Sequence, residues 1–524
     1  MKINRLFKVF CLMAVISVAC TDDFKEINTN PNAQTVGSNE GLLLGAQIRA
    51  ARELLDNVRS NNHGMSKWVQ YSTEQLDNLN DFVQGNPRED YNDFWIYQIL
   101  YTQTLPLIER IIGNTDEAPH PNYRAAAYVM KAWIFQTMTD QWGSIPFSDA
   151  LKGEVSEEER FNKPKFDTQQ EIYTSVLTML EEANTMFDLG DDPGVAMVAA
   201  SDAFAGGDVL MWKKFANTLR ARILLRISDV DEGTARAGLE QIFSNPTTYP
   251  VMESNDDNFG ITWEDVTGSY ADPLGRYLND NGFTPNVGSG FVNILGDRLD
   301  PRMKVLVAPA EGYTNADTYI GIPPGFDPDN PSGFTRISRD SVSQISTQFA
   351  EVQLRPIITY SELLFIKAEA ALKGFNVGVS GEDAYEDGIT ANMQDLGIDA
   401  AEIDTYINQP SVAYNATDAL ELIITQRYIA QFGQSTNTFA MIRRTGYPEL
   451  DYFTIGIYKD DGYPVRIQYN EGTIRQFNEV NFEKAIEGVT IINRVFGDNL
   501  WFATNAPGVK MKPNLQTGPV LYSY

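Results

Sequence analysis

Residues 355–374 have the sequence RPIITYSELLFIKAEAALKG, and the spacing of their apolar side chains indicates how the chain folds. Apolar residues recur every three or four positions, as they do on one face of an α-helix. These positions are Tyr360, Leu363, Leu364, Ala368, Ala371 and Leu372. Gly374 follows Lys373, and a glycine just beyond the last periodic residue is typical of a helix end. The stretch therefore predicts an amphipathic helix that ends near residue 373.

The same period recurs along most of the chain. It is clear in residues 125–135 and 212–223, where aromatic and aliphatic side chains recur every three or four positions. Further helices are predicted near 41–60, 92–112, 168–187, 381–394 and 418–432. The sequence therefore predicts a mostly α-helical protein.

Several residues predict where helices begin or are interrupted. Asp167 stands three residues ahead of Gln170, and Asp418 stands three residues ahead of Glu421. This spacing is typical of an N-terminal capping residue and its partner. Pro106 lies inside the 92–112 segment and is expected to kink or interrupt that helix, because proline lacks the N–H that a helix needs.

A long region without helical periodicity, residues 245–354, separates two groups of predicted helices. It is rich in Gly, Pro, Asn, Asp and Tyr, which favour turns. Its aromatic residues are too numerous for a disordered segment. They include Trp263, Tyr270, Tyr277, Phe283, Phe291, Tyr313 and Tyr319. We expect an ordered, loop-rich insert that carries ligand-binding residues.

The first 23 residues, MKINRLFKVFCLMAVISVACTDD, have the pattern of an export signal. A short basic start precedes an apolar run that is too short for a permanent membrane span. Small residues then lead to Cys20, which favours a lipoprotein signal peptide over residues 1–19 with Cys20 as the acylated residue. An ordinary secretory peptide cut nearby is the alternative. Residues 20–39 are polar and predict a flexible tether.

The charge of the chain restricts its partners. The formal net charge is −29, and removal of residues 1–19 would take away Lys2, Arg5 and Lys8 and no acidic residue, leaving −32. A chain this acidic repels nucleic acid and anionic lipid head groups. No second apolar run approaches the ~20 residues of a membrane-spanning helix. Attachment to a membrane would therefore depend on lipid at Cys20.

Few residue patterns for catalysis or cofactor binding are present. The chain has two histidines, His63 and His120, and its only cysteine besides Cys20 is Cys11. The phosphate-binding, dinucleotide-binding, serine-hydrolase and zinc-protease motifs are absent, and we expect no cofactor. The acidic stretch 327–330 could bind Ca²⁺, but it fits no EF-hand and is equally typical of a turn. With 70 acidic residues in the chain, a catalytic pair of carboxylates like that of a glycosidase stays an alternative hypothesis.

Two segments combine aromatic and amide side chains in the way that sugar sites do. Aromatic rings stack on the apolar faces of sugars, and amides bind the hydroxyls. The first segment, 68–82, contains Trp68, Tyr71, Asn78, Asn80 and Phe82. The second, 270–283, contains Tyr270, Tyr277, Asn279, Asn281 and Phe283. We predict that Trp68, Tyr71, Asn78, Tyr270, Tyr277 and Phe283 contact ligand.

Seven blocks resemble the SusD/RagB outer-membrane lipoproteins, and they occur in the order of that family. The most specific is IITQRYIAQFGQSTNTFAMIRRTGYPEL (423–450). The others include WGSIPFSDA (142–150) with FDTQQEIY (166–173), GGDVLMWKKFANTLRARILLRIS (206–228), DPRM (300–303) and residues 355–374. The last two are residues 462–485 and GDNLWFA (497–503). The blocks are distributed over most of the mature chain, and the predicted lipoprotein signal precedes them.

The resemblance implies an all-α fold over residues 40–524, built from tetratricopeptide-like helix pairs in a right-handed scaffold with long loops and little sheet. It implies capture of an oligosaccharide at the cell surface and delivery to a SusC/RagA-like TonB-dependent transporter in the outer membrane. Some members bind peptides, so a peptide ligand stays an alternative. Asp22 and Asp23 resemble the acidic signal that directs such lipoproteins to the outer leaflet. An α-helical glycan-cleaving enzyme is the alternative of a different class.

Overall fold

The computed structural model describes most of the chain from residue 37 onward. The described residues are 37–55, 65–73, 98–152, 158–263, 272, 274–275, 285–315, 317–322, 339–351, 354–451, 463, 465–467, 469, 471–488, 491–492, 496–497, 500–509, 511–512 and 522–523. The predicted signal peptide, Cys20 and most of the predicted tether lie outside these ranges.

Helices make up most of the described structure. In the first half they are α1 (Asn39–Leu54), α2 (Met65–Trp68), α3 (Leu105–Glu117), α4 (Pro121–Trp142), α5 (Glu159–Asn162), α6 (Gln169–Met186), α7 (Val209–Arg226) and α8 (Glu232–Ser244). The remaining helices are α9 (Ser289–Gly296), α10 (Met303–Leu306), α11 (Thr347–Ala350), α12 (Tyr360–Leu372), α13 (Gly381–Asp395), α14 (Ala400–Ile407), α15 (Ala419–Ala430), α16 (Ser435–Thr445) and α17 (Glu471–Ile486). The predicted helical fold is confirmed.

Consecutive long helices pack against one another and bury a continuous core. Helix α3 packs on α4, α4 on α6, α6 on α7 and α7 on α8. Later in the chain, α12 packs on both α13 and α15. Large side chains such as Trp212, Phe135 and Phe215 are fully buried between these helices. This succession of packed helix pairs is the tetratricopeptide-like architecture that the resemblance implied.

Three predicted helix boundaries can be compared with the structure. Gly374 has a φ of 76° directly after the end of α12, as predicted. A π-helical turn over Leu100–Thr104 interrupts the helix just before Pro106, which is also as predicted. Asp418 is the residue that precedes α15, although its side chain makes no capping hydrogen bond.

The predicted capping role of Asp167 is wrong. Thr168 caps α6, because its hydroxyl accepts from the backbone N–H of Glu171 at 3.3 Å while the Glu171 carboxylate accepts from the backbone N–H of Thr168 at 2.8 Å. Asp167 lies in a short strand instead. Its carboxylate accepts hydrogen bonds from the backbone N–H groups of Phe147 and Ser148.

The strands are short and lie mostly in the loop-rich parts of the chain. They are β1 (Ser72–Thr73), β2 (Ile145–Pro146), β3 (Phe166–Asp167), β4 (Phe259–Thr262), β5 (Asn286–Val287), β6 (Val307–Ala308) and β7 (Thr318–Tyr319). Then follow β8 (Gln344–Ile345), β9 (Leu354–Ile358), β10 (Leu450–Asp451), β11 (Ile491–Ile492), β12 (Phe496–Gly497), β13 (Met511–Lys512) and β14 (Tyr522–Ser523). The only sheet of more than two strands in the described ranges has the order β1-β5-β8-β6.

The described parts of residues 245–354 contain no long helix, as predicted, but they do form short elements, namely strands β4 to β8 and helices α9, α10 and α11. Helix α9, SGFVNILG, was not predicted, and all eight of its residues are buried. Its eight residues are too few for a helical period to be recognised among the turn-forming residues around it. Trp263, Phe291 and Tyr319 from this region are buried as well.

Buried charges join helices that are distant in the sequence. The Glu362 carboxylate of α12 accepts from Arg222 of α7 at 2.8 and 2.7 Å and from Arg427 of α15 at 2.8 Å. Arg444 of α16 contacts the Glu369 carboxylate at 2.6 Å. Arg443 donates to backbone carbonyls, among them that of Asp140 at 2.6 Å. Ion pairs and carbonyl contacts therefore hold both arginines in place at the end of α16.

No helix within the described ranges combines the length and the apolar character needed to cross a bilayer.

Candidate functional site

Tyr71 is a core residue, and the prediction that it is an exposed ligand-binding ring is wrong. Its side chain has no exposed surface, and its ring centroid lies 5.3 Å from that of Phe291 and 5.1 Å from that of Phe432. The hydroxyl donates to the backbone carbonyl of Tyr428. Burial raises the pKa of Tyr71 well above its ordinary value, and the hydrogen bond with Thr438 opposes this only in part.

Trp68 is also buried, and the same prediction is wrong for it. Its ring centroid lies 5.1 Å from that of Phe439, and its backbone carbonyl accepts from the Tyr463 hydroxyl at 3.0 Å. Both rings anchor residues 65–73 to helices α15 and α16. Composition alone did not distinguish these two rings from surface rings, because their hydrogen-bond partners Tyr428 and Tyr463 lie more than 350 residues further along the chain.

The other predicted ligand residues lie outside the described ranges. They are Asn78, Tyr270, Tyr277 and Phe283, together with Asn80, Phe82, Asn279 and Asn281. Their role in ligand binding stays a prediction.

The four-stranded sheet brings the attachment points of these two segments together. Strands β1 and β5 are antiparallel, with Thr73 paired to Asn286 and Ser72 to Val287. The chain therefore leaves β1 toward residue 74 at the same end of the sheet at which it enters β5 from residue 285. We call this the ladder end, defined by Thr73 and Asn286. Segments 68–82 and 270–283 both attach there.

Close backbone packing fixes this part of the sheet. Gln70 has a φ of 60°, and its amide donates to the backbone carbonyl of Asp451 at 2.7 Å and accepts from the backbone N–H of Asp451 at 3.1 Å. A Cβ on Gly288 would lie 2.4 Å from the Gln70 carbonyl oxygen. A glycine is therefore needed at position 288 for β5 to approach residues 70–73 this closely.

A cavity of about 190 Å³ lies beside β9, at the ends of α1, α13 and α15. This is many times the about 10–15 Å³ that one water needs. Its apolar lining includes Leu55, Trp263, Leu274, Leu306, Phe349 and Phe432. Its polar lining includes Asn258, Asp272, Arg355, Thr359, Asp395 and Gln434. We call it the β9 cavity.

An ion pair neutralises the charges at one side of the β9 cavity. Arg355 binds the Asp272 carboxylate through two contacts, Nε to Oδ1 at 2.8 Å and Nη2 to Oδ2 at 3.0 Å. The guanidinium also lies 5.0 Å from the ring centroid of Phe349. Burial raises the pKa of Asp395, and a hydrogen bond from the Asn258 amide at 3.1 Å opposes that rise. The lining therefore suits a neutral ligand.

Sequence analysis missed Arg355, Asp272 and Gln434 as site residues. Arg355 and Gln434 belong to blocks that resemble the family and were interpreted as scaffold. The ion pair joins residues that are 83 positions apart, so no local spacing revealed it. Trp263 was noted only as one of the aromatic residues of the insert.

Within the described ranges, no group of three or more His, Cys, Asp or Glu side chains is arranged to hold a metal ion. The stretch 327–330, which could have bound Ca²⁺, lies outside those ranges.

The described residues form a scaffold of packed helix pairs with one small sheet of four strands. A SusD-like family model, described as "Starch-binding associating with outer membrane", matches residues 31–470. The chain belongs to this SusD/RagB family.

Solved structures have the same fold. A chitin-binding protein is 27% identical, with a TM-score of 0.75, and the match covers 89% of this chain and 100% of that one. A chitin-binding SusD homolog from Flavobacterium johnsoniae is 20% identical, with a TM-score of 0.72 and coverage of 90% and 99%. A SusD homolog from Bacteroides vulgatus is 22% identical, with a TM-score of 0.73 and coverage of 88% and 97%. A comparison with curated proteins finds no match.

Proposed function

We propose that this protein captures an oligosaccharide at the cell surface and delivers it to a SusC/RagA-like TonB-dependent transporter in the outer membrane. The observation that carries the proposal is the ladder end. Pairing of Thr73 with Asn286 attaches two segments rich in aromatic and amide residues to the same place. Membership of a family described as starch-binding and associating with the outer membrane supports it.

The chemistry of the two segments supports a sugar ligand. Tyr270, Tyr277 and Phe283 offer ring faces for stacking, and Asn78 offers an amide for hydroxyl groups. The acidic chain favours a neutral ligand over an anionic one. The protein 27% identical to this chain is named as chitin-binding, so chitin oligosaccharides and the starch oligosaccharides of the family description are the first ligands to test.

Calorimetry with chitohexaose and maltohexaose tests the proposal. Tyr270→Ala or Tyr277→Ala should each weaken binding about fivefold to tenfold, because a stacked ring contributes about 1 kcal/mol beyond area burial and ~1.4 kcal/mol is tenfold. The double variant should nearly abolish binding. Tyr313→Ala removes an exposed ring outside both segments and should bind like the wild-type protein. Wild-type affinity in the double variant would contradict the proposal.

We also propose that binding occurs without catalysis. Chromatography of the hexasaccharides after long incubation should show unchanged chain length. Shortened products would favour the α-helical glycan-cleaving enzyme, and binding of peptides in place of both glycans would favour a peptide-binding member of the family.

Delivery to a transporter is tested separately. Extraction of the tagged full-length protein from its native outer membrane in mild detergents should co-purify a large β-barrel protein. Recovery of the protein alone in several mild detergents would contradict the partnership without affecting the sugar-binding proposal.

A further inference from the structure

Strand β14 packs against the C-terminal end of helix α9. The backbone of Tyr522 pairs with Tyr319 of β7, and the Tyr522 hydroxyl donates to the Asp297 carboxylate at 2.7 Å. The ring of Tyr522 lies over Gly296, because a Cβ added to Gly296 would overlap three atoms of that ring. The backbone pairing thus fixes Tyr522 itself, and the hydrogen bond and the ring contact join it to the end of α9.

The other end of α9 supports both strands of the ladder end. Gly288 lies between β5 and α9, and its backbone N–H donates to the Tyr71 carbonyl at 3.3 Å. The Phe291 ring of α9 lies 5.3 Å from the Tyr71 ring between centroids. A Cβ on Gly290 would overlap the side-chain oxygen of Gln70. Helix α9 therefore continues directly from β5 and packs against the residues that lead into β1.

Two separate contacts fix the direction of α9. Ser289 and Asn293 donate to the Asp451 carboxylate of β10, the second at 3.0 Å, and hold the first half of the helix. Tyr522 holds its last turn. All eight residues of α9 are buried, and a short helix enclosed at the packing density of a protein interior moves as a unit. Without Tyr522, α9 can tilt about its contact with β10, and Gly288 moves with it.

We propose that Tyr522 is a positioning residue for sugar binding. It holds α9 in the direction in which β1 and β5 keep segments 68–82 and 270–283 side by side at the ladder end. Tyr522 itself contacts no sugar and acts only through α9. This inference rests on the proposed function, because it takes the ladder end as the base of the sugar-binding surface. It adds a residue far from both segments in the sequence that controls the affinity.

Calorimetry of two Tyr522 variants tests the proposal. Tyr522→Ala should weaken binding of the hexasaccharide that the wild-type protein binds by about threefold to tenfold, the range typical of residues that act through packed neighbours. Tyr522→Phe keeps the ring over Gly296 and should recover most of the wild-type affinity. Phe477→Ala removes a ring that is 65% exposed on α17 and should bind like the wild-type protein. Tyr522 is only partly buried, so both of its variants are expected to fold.

Gly296→Ala tests the same contact from the side of the helix. The added Cβ would overlap the Tyr522 ring and displace it, so sugar binding should weaken by a similar factor. In the Tyr522→Ala background the ring is absent, and Gly296→Ala should have no further effect on the affinity. Residues that act through one contact show such non-additivity. Effects that simply multiply in the double variant would contradict the proposed contact.

Hydrogen exchange without sugar separates positioning from general stability. The backbone N–H groups of Val287 and Gly288 donate to the carbonyls of Ser343 and Tyr71, across the sheet of the ladder end. In Tyr522→Ala these two groups should exchange faster, whereas those within α7 should exchange at the wild-type rate. Equally faster exchange in all the long helices would show a purely structural role for Tyr522.

The combined results distinguish failure of this inference from failure of the proposed function. If Tyr270→Ala weakens binding but Tyr522→Ala binds like the wild-type protein, the ladder end binds sugar and Tyr522 does not position it. If neither Val287 nor Gly288 exchanges faster in Tyr522→Ala, the inference is wrong whatever the affinity. If the wild-type protein binds neither hexasaccharide, the proposed function itself is contradicted, and the positioning role falls with it.

Discussion

The carboxylate of Glu362 is fully buried between two arginines, so the folded state depends on both arginines to neutralise it. Burial alone would raise the pKa of Glu362, but Arg222 and Arg427 outweigh burial and lower the pKa to about 2. Glu362→Gln leaves both guanidinium groups buried without a counter-charge. We expect a loss of about 3–5 kcal/mol in the free energy of unfolding at pH 7, measured by urea denaturation.

The pH dependence gives a sharper test of the same residue. A lowered folded-state pKa means that the stabilisation is present above the unfolded-state pKa, near 4.5, and is lost as the pH falls toward 2. The stability difference between wild type and Glu362→Gln should therefore narrow between about pH 5 and pH 2. Glu402→Gln, at an exposed position of α14, serves as the control and should stay within ~0.5 kcal/mol of the wild type at pH 7. A difference that is independent of pH would show that the ion pairs do not carry the effect.

Tyr71 gives a second prediction, which follows from its burial. Tyr71→Ala removes a ring that contacts Phe291, Tyr428 and Phe432, and should cost about 3–5 kcal/mol of stability. Tyr71→Phe keeps the ring and should cost about 1–3 kcal/mol, because the Tyr428 carbonyl loses its donor. Urea denaturation measures both. If Tyr71→Ala left stability unchanged and weakened sugar binding, the result would support a ligand-binding role for Tyr71 and contradict its role in the core.

Strand β5 depends on the small size of Gly288, which allows β5 to lie against Gln70. A Cβ at position 288 would lie 2.4 Å from a backbone oxygen that cannot move independently, so Gly288→Ala should displace β5 from β1. We expect a lower midpoint of thermal unfolding together with weaker hexasaccharide binding, because Thr73 and Asn286 would no longer pair at the ladder end. Gly113→Ala is the matched control in helix α3, where a Cβ meets nothing within 4 Å. It should be neutral or stabilising by up to about 1 kcal/mol. Equal behaviour of the two variants would contradict the role of Gly288.

Elements with local causes could be predicted from the sequence, and elements with long-range causes could not. Helix α12 was predicted because its apolar residues recur at helical spacing, and its end was predicted because a glycine, Gly374, can take the positive φ that is found there. Helix α9 was missed because it has only eight residues and lies among residues that favour turns. Asp167 was misassigned because its carboxylate accepts from the backbone N–H groups of Phe147 and Ser148, just after strand β2, and not from the helix that follows.

The same distinction applies to the candidate site. The two segments could be chosen from composition, but which of their rings face the core depends on partners that fold from the other end of the chain. Trp68 and Tyr71 contact helices α15 and α16, so their burial could not be inferred from residues 65–73 alone. The β9 cavity combines residues from six separate parts of the sequence, between Ala51 and Gln434, and no single stretch indicates it.

The proposed place of this protein at the cell surface depends on the start of the chain. After removal of residues 1–19 the formal charge would be −32, and such a chain has no electrostatic attraction to an anionic membrane. Two or three acyl chains on one cysteine would provide the attachment, because a single chain binds only marginally.

Substitution of Cys20 therefore tests the mode of attachment directly. Cys20→Ser removes the only cysteine that the mature chain would have, and should release soluble protein or leave the uncut precursor in the inner membrane. Cys11→Ser changes the other cysteine, which lies inside the predicted signal peptide, and should leave localisation unchanged. Membrane fractionation with labelled palmitate measures attachment and acylation together. Outer-membrane recovery of Cys20→Ser at the wild-type level would mean that another part of the chain, or a tightly bound partner, holds the protein there.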